Sequence, residues 1–186
     1  MIVKSIATTA AWTVYHQSLG PTKALYLNDS SLGQTNQSLW NNLDPTSQIW
    51  NAGSTGWYGN SLAYITYAWS EIEGYSRFGS YVGNDGAGPS PFCYCGFKPA
   101  YVLVKQVTGS GGPWVIEDTA RSPYNSVDDY LLANESDKEE TDSTMDINFL
   151  SNGFQIVGGS GKINNTGETF IFCAFASAPF KYANAH

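Results

Sequence analysis

The sequence predicts an all-β protein with a β-sandwich or jelly-roll-like architecture. Short apolar runs, several of them alternating with polar residues, recur along the chain between clusters of Gly, Asn, Ser and Pro. Asp-Gly at residues 85–86 and Asn-Gly at residues 152–153 favour the positive φ angles of hairpin turns. No segment shows a sustained apolar stripe with the helical period, so we expect very little helix.

The predicted strands follow one another at intervals typical of sandwiches and barrels. In chain order they cover residues 2–4, 12–15, 24–27, 62–69, 79–82, 92–95, 101–105, 114–116, 154–157 and 169–176. Segments 62–69 and 169–176 are the most apolar of them, so we expect each to be a central strand that is buried on both faces.

Two stretches of the chain read as related copies. Residues 23–28 match residues 129–134, and residues 64–69 match residues 170–175 at the same offset. Internal repetition of this kind is typical of modular proteins. We therefore predict a first β repeat at residues 1–73 and a second, complete repeat at residues 74–186, packed together.

The first repeat lacks a counterpart of the opening segment of the second, residues 74–100. An unpaired sheet edge is normally covered or paired. We expect the missing strands to leave an edge near Ile2, Val3 and Lys4, and we expect another protein chain or another segment to cover it.

The composition disfavours several classes of function. The formal charge is −7 and the basic residues form no cluster, which argues against nucleic-acid binding. No apolar run is long enough for a membrane span, and the sequence opens on a strand-like run rather than a signal peptide, so we expect neither membrane insertion nor export by the secretory pathway.

The cysteine and histidine residues predict neither a disulfide framework nor a metal centre. The three cysteines, Cys93, Cys95 and Cys173, are odd in number, and Cys93 and Cys95 alternate on one face of a strand. We expect three reduced core thiols. The chain has two histidines, and an acidic loop at residues 134–146 lacks the spacing of an EF-hand, so we expect no cofactor and a solvated loop.

The sequence gives little support for a catalytic site. Glycoside hydrolysis needs two carboxylates across a cleft. Glu71 with Glu73 and Glu117 with Asp118 are the obvious pairs, and neither pair recurs in the other copy. We expect these carboxylates to be exposed charges at strand ends. His16 has no Gly-x-Ser-x-Gly motif to accompany it, so we expect no enzymatic activity.

Aromatic residues in polar loops are better candidates for binding. Flat rings flanked by amide side chains provide contact area together with adaptable hydrogen bonds. Two loop tryptophans align with apolar positions of the second copy, Trp50 with Ile156 and Trp57 with Ile163, which favours core packing for both. The residues that we select as glycan or receptor contacts are Trp40, Tyr58, Tyr124 and Asn125.

The block at residues 12–28 carries a family resemblance. It resembles the Trp-x-Val-Tyr-His-x-Ser-Leu-Gly-x-Thr-Lys-x-Leu-x-Leu-Asn signature of a repeated β-module in virion surface proteins of tailed bacteriophages, including tail-fibre-like proteins of marine and cyanobacterial phages. The resemblance extends over essentially the whole chain. It continues through residues 74–84, 91–92, 96–100, 149–154 and 174–180.

The resemblance implies a structural protein on the virion surface, assembled in the host cytoplasm and carrying no known catalytic residues. We expect a tail-fibre-like module that attaches to host cell-surface glycan. The alternative is a decoration protein of the capsid or tail, such as a cement or head-fibre protein, and a glycan depolymerase ranks last. The expected partners are a tail adaptor or capsid protein and further copies of this chain, with trimers being usual for fibres.

Overall fold

The computed structural model describes residues 1–35, 39–53, 58 and 62–177. The chain divides into two compact units, Met1–Trp69 and Ser70–His186. The division falls just before the predicted boundary at residue 73. Residues 70–73 belong to the second unit because Ile72 forms a β-bridge with Ser76, and the Ser76 hydroxyl donates to the Ser70 carbonyl at 2.8 Å.

The first unit contains one antiparallel sheet of five strands in the order β4-β3-β2-β1-β5. Its strands are β1 (Ile2–Ser5), β2 (Thr13–Val14), β3 (Lys23–Tyr26), β4 (Gln34–Thr35) and β5 (Tyr64–Tyr67). Strand β5 is the last strand of the unit in sequence, but it pairs with the first strand, β1, and not with β4.

The structure corrects the prediction of an edge at Ile2, Val3 and Lys4. Strand β1 pairs with β2 on one side and with β5 on the other, so these three residues lie inside the sheet. Val3 is also part of the core. The edge of the sheet on this side is β5.

The core of the first unit is a cluster of aromatic rings that covers one face of the sheet. Trp40, Trp50 and Tyr58 contact one another with ring centroids about 6 Å apart, mostly edge to face. Such geometries let aromatic rings fill space with favourable electrostatics. Trp50 thus packs in the core as predicted, whereas Trp57 lies outside the described residues.

The second unit contains nine strands, a single short α-helix and one 3₁₀ turn among its described residues. The strands are β6 (Ser76–Val82), β7 (Phe92–Tyr94), β8 (Pro99–Gln106), β9 (Trp114–Asp118), β10 (Asp129–Leu132), β11 (Glu140–Thr141), β12 (Ile147–Leu150), β13 (Gly153–Ile156) and β14 (Thr169–Ala176). The helix α1 is Gly161–Asn164 and the 3₁₀ turn is Ser143–Met145.

These strands form a sandwich of two antiparallel sheets. One sheet has six strands in the order β11-β10-β9-β8-β14-β6, and the other has three in the order β12-β13-β7. Their inner faces share one core, in which Phe154 packs edge to face on Phe172 at 4.9 Å. The prediction of an all-β sandwich with very little helix is confirmed. No helix in the described part of the chain has the length and apolarity needed to cross a membrane.

The two most apolar strands differ in their surroundings. Strand β14 lies between β8 and β6 as a central strand, and its residues are either buried or half-buried, with none exposed. Strand β5 was expected to be equally enclosed, but it is an end strand and its residues alternate between half-buried and exposed. The prediction is therefore wrong for β5, because no strand of the described residues pairs with its outer side.

The five-stranded sheet and the larger sheet of the second unit run in the same strand order. Reading β1, β2, β3, β4 and β5 as β8, β9, β10, β11 and β14 gives the same succession, and the larger sheet adds β6. This correspondence is compatible with two sequence repeats, which remain an interpretation. The three-stranded sheet has no counterpart among the described strands of the first unit.

Gly153 allows the close approach of β13 and β7. A Cβ atom at this position would overlap the backbone carbonyl of Cys93. We predict that Gly153→Ala lowers the free energy of unfolding by about 2 kcal/mol, because the backbone has to shift. Gly161→Ala is the matched control, since a Cβ there meets no atom within 4 Å. Equal effects of the two substitutions in chemical denaturation would contradict this role.

Candidate functional site

Trp40 is a core residue and not a surface contact. Only 1% of its surface is exposed, and its ring packs edge to face on Tyr15 at 5.7 Å. The indole N–H donates to the Lys23 carbonyl at 2.9 Å, so the polar atom of the ring is satisfied inside the protein. The prediction that Trp40 contacts glycan is wrong, because no ligand can reach its face.

Tyr58 is buried in the same cluster. Its hydroxyl hydrogen-bonds the Thr13 hydroxyl at 3.0 Å, and its ring lies edge to face against Tyr64. Burial raises the pKa of Tyr58 to about 12. This prediction of a glycan contact is also wrong, since the ring and the hydroxyl both face protein.

The two candidates in the second unit have different surroundings. Tyr124 is 83% exposed and is available to a ligand. The Asn125 amide is occupied, because it donates to the Phe149 carbonyl at 3.0 Å and accepts the Phe149 N–H at 2.9 Å. Asn125 therefore acts as a structural residue that fastens its loop to β12. Val127 continues this attachment through a β-bridge with Ile147.

The outer face of the three-stranded sheet carries two exposed aromatic side chains, Phe92 and Tyr94. Strand alternation sends Cys93, Phe154 and Ile156 into the core and the residues between them outward. The outward residues form two cross-strand rows, Leu150 with Gly153 and Tyr94, and Asn148 with Gln155 and Phe92. We call these six residues the aromatic face.

The aromatic face combines flat apolar rings with amide groups. Tyr94 is 63% exposed and Phe92 46%. Asn148 is held in place by the Ser126 hydroxyl, which donates to its Oδ1 atom at 3.2 Å. The hydrogen bonds between Asn125 and Phe149 hold the loop of Tyr124 beside β12. The exposed ring of Tyr124 therefore belongs to a segment that borders this sheet.

The side chains of the aromatic face provide the contacts of reversible binding. None of its six residues carries a carboxylate, a histidine or a cysteine, so it offers stacking surface and hydrogen bonds alone. Sequence reasoning missed Phe92 and Tyr94 as site residues. A signal was present, because an alternation that places Cys93 and Cys95 inside must place Tyr94 outside.

Of the four carboxylates named as hydrolase candidates, Glu73 is exposed as expected, and the other three have partners or no access to solvent. Glu71 accepts the Phe78 N–H at 3.1 Å and pairs with Arg77 at 3.2 Å. Asp118 pairs with Arg121 at 2.6 Å. Glu117 is fully buried and neither of its carboxyl oxygens has a hydrogen-bond partner. The expectation of an exposed charge is wrong for Glu117.

Glu117 carries a strongly perturbed pKa. Burial raises it well above its usual value of 4.5, and the nearby charges of Asp146 and Asp128 raise it further. A buried carboxyl without a partner favours the neutral form, since charging it in this environment is costly. With no exposed surface, this group has no contact with a glycan substrate.

The cysteines and His16 have structural surroundings. Cys93 and Cys95 are free thiols in the core, as predicted, whereas the free thiol of Cys173 is half-buried and lies outside the core cluster. Burial raises the pKa of the Cys95 thiol to about 12, which makes it unreactive at neutral pH. The His16 Nδ1 atom accepts the Ser18 N–H at 3.2 Å inside a turn. Within the described ranges, no three His, Cys, Asp or Glu side chains are grouped to hold a metal ion.

The acidic loop is more ordered than expected. It contains β11 and the 3₁₀ turn, whose N-cap Asp142 accepts the Thr144 N–H at 2.9 Å. The Tyr130 hydroxyl donates to Glu140 at 2.7 Å, and the Lys162 ammonium lies over the Tyr130 ring at 4.9 Å. Two of the acidic side chains of the loop, Asp142 and Glu140, are therefore held by hydrogen bonds within the protein.

The fold is an all-β sandwich that presents the exposed aromatic face on its smaller sheet. A family model described as a domain of unknown function, DUF7483, matches residues 1–179. The chain belongs to the DUF7483 family. Comparisons with curated proteins and with solved structures gave no match.

The burial of Trp40 and the exposure of Tyr124 lead to opposite expectations for two aromatic truncations. Trp40→Ala is expected to lower the free energy of unfolding by about 4 kcal/mol, because it leaves a cavity and an unpaired Lys23 carbonyl. Tyr124→Ala should change it by no more than about 0.5 kcal/mol. Urea denaturation followed by far-ultraviolet circular dichroism measures both. Similar losses for the two variants would refute the assignment of core and surface.

Glu117 predicts a characteristic dependence of stability on pH. Its folded-state pKa is raised, so its contribution is fully present below the unfolded value of 4.5 and is lost as pH rises. Relative to Glu117→Gln, the wild type should lose up to about 1.4 kcal/mol per pH unit above that value until the folded carboxyl ionises. Denaturation series of both proteins between pH 5 and pH 8 measure the difference. A constant difference across this range would show that Glu117 does not hold its proton.

Proposed function

We propose that this chain is a structural protein on the surface of a tailed-bacteriophage virion and that it binds host-surface glycan through the aromatic face. The observation that carries the proposal is the outward face of β7, β13 and β12, where two exposed rings lie beside half-buried amide side chains. Sugar rings present C–H faces that stack on aromatic side chains, and their hydroxyls match the donors and acceptors of Asn148 and Gln155. The virion assignment rests on the family resemblance of the sequence motifs.

Charge is consistent with this kind of ligand. The chain carries a formal charge of −7, and the aromatic face itself has no charged residue. A neutral face binds neutral sugars without a desolvation penalty for charges. Binding at such a surface should therefore depend weakly on salt, unlike the binding of a polyanion.

The second candidate function is a decoration protein of the capsid or tail. It is favoured by the exposed apolar side chains of β5, Ile65 and Tyr67, which lie on a sheet edge suited to protein contacts. Quantitative mass spectrometry of purified particles distinguishes the two locations, because a shell protein is far more abundant than a tail protein. We do not propose depolymerase activity, since Glu71 is paired with Arg77 and Glu117 is inaccessible.

Substitution of the aromatic face tests the binding proposal. Tyr94→Ser should weaken binding to the recognised polysaccharide about tenfold, which corresponds to about 1.4 kcal/mol. The assay is a glycan array of bacterial O-antigens and capsular polysaccharides, followed by isothermal titration with each glycan bound. Val82→Ser is the control, because Val82 is exposed on β6, outside the aromatic face.

Two results would reject the assignment of the site. One is unchanged affinity in Tyr94→Ser, and the other is an equal loss in both variants. A wild-type chain that binds no polysaccharide on the array would remove the attachment function and leave the decoration role as the better proposal.

A further inference from the structure

Strands β5 and β14, which pair with β1 and β8 respectively, differ in what lies on their outer side. In the second unit, β14 is covered by β6, which runs antiparallel to it over its whole length. In the first unit, β5 takes the place of β14, and no strand of the described residues occupies the place of β6. The outer edge of β5 is therefore the one to examine for a partner.

Strand β6 ends its own sheet, and its edge is blocked. Its first residue, Ser76, is paired with Ile72. Glu71 accepts the Phe78 N–H at 3.1 Å and pairs with Arg77 at 3.2 Å. A charged side chain placed against a strand edge prevents pairing with another chain. At the other end of the five-stranded sheet, β4 has two residues and is too short to be a good template.

Strand β5 has no such protection. Its four residues, Tyr-Ile-Thr-Tyr, carry no charge. Ile65 is 39% exposed and Tyr67 44%, on the face that alternates away from the core. Trp69 stacks on Tyr67, with ring planes 18° apart, and extends this apolar surface. An uncharged edge with exposed apolar side chains is suited to strand addition.

The register with β1 fixes which backbone groups face outward. The Ile6 N–H donates to the Ala63 carbonyl at 3.0 Å, next to the paired residues Ser5 and Tyr64. Hydrogen-bonded and non-hydrogen-bonded pairs alternate in an antiparallel ladder. Ile65 and Tyr67 thus direct their backbone groups toward β1. Thr66 directs its N–H and its carbonyl toward the open side.

We propose that the open edge of β5 pairs with β5 of a second copy of this chain, antiparallel and centred on Thr66. In this register the two Thr66 residues exchange both backbone hydrogen bonds. Ile65 of each copy then lies opposite Tyr67 of the other on the exposed face. Aromatic and β-branched residues opposite each other are a favourable cross-strand pair. The match is self-complementary, as a twofold interface requires.

Strand β5 has only four residues, which limits the affinity of the proposed dimer. Four residues a side bury far less area than a standard stable interface. The dimer is therefore weak and concentration-dependent when the chain is free in solution. It does not depend on the proposed glycan binding, which uses strands of the second unit.

Sedimentation velocity of the full chain over a wide concentration range tests the association. The wild type shifts from monomer to dimer as concentration rises. Ile65→Lys opposes a charge to the apolar side chain of Tyr67 and weakens the dimer at least about tenfold. Ile49→Lys is the matched control, with the same change at an exposed loop residue of the same unit. A wild type that stays monomeric, forms trimers, or responds equally to both substitutions overturns the proposal.

Cross-linking tests the register. Opposed residues of a hydrogen-bonded antiparallel pair have Cα atoms about 5.5 Å apart, within the range that a disulfide spans. Oxidation of Thr66→Cys therefore yields a covalent dimer. Thr35→Cys, at the opposite edge of the same sheet, does not. A covalent dimer from Thr35→Cys alone, or from neither variant, overturns the register.

Discussion

The pairing of β14 with β8 is the interaction on which the second unit depends. It joins the last strand of the unit to an earlier one over seven matched residue pairs and makes β14 the central support of the six-stranded sheet. The inner face of β14 presents Phe170, Phe172 and Ala174 to the core. In the second unit the three-stranded sheet buries that face. Its outer face is left to solvent as a consequence.

The same pairing in the first unit, between β5 and β1, has a different outcome. No second sheet is formed there by the described residues, and aromatic rings from loops cover the core instead. Large rings such as Trp40 and Trp50 fill the volume that strands fill in the second unit. The loops thereby lose their availability to a ligand. Loop aromatic residues therefore form core in the first unit, whereas in the second unit exposed aromatic residues lie on a strand of the smaller sheet.

Much of the fold could be predicted because its signals are local. Alternation and turn residues located most strands, and the aligned Ile156 identified Trp50 as a packing residue. Trp40 was misplaced because it lies in a loop that is mostly polar, whereas its burial comes from contacts with Lys23 and Tyr15, which are distant in sequence. The burial of Glu117 was also missed. A carboxyl is costly to bury, so sequence reasoning placed it outside, but the second sheet covers its strand.

The proposed ligand contacts lie on the smaller sheet of the second unit and not on the loop aromatics of the first. Hydroxyl-radical footprinting, read by mass spectrometry with and without the bound polysaccharide, tests this at the level of side chains. We expect the ligand to reduce oxidation of Tyr94 and Phe92 and to leave the slow oxidation of buried Trp40 unchanged. Protection of the segment 39–53 with no change at Tyr94 and Phe92 would show that the ligand binds elsewhere.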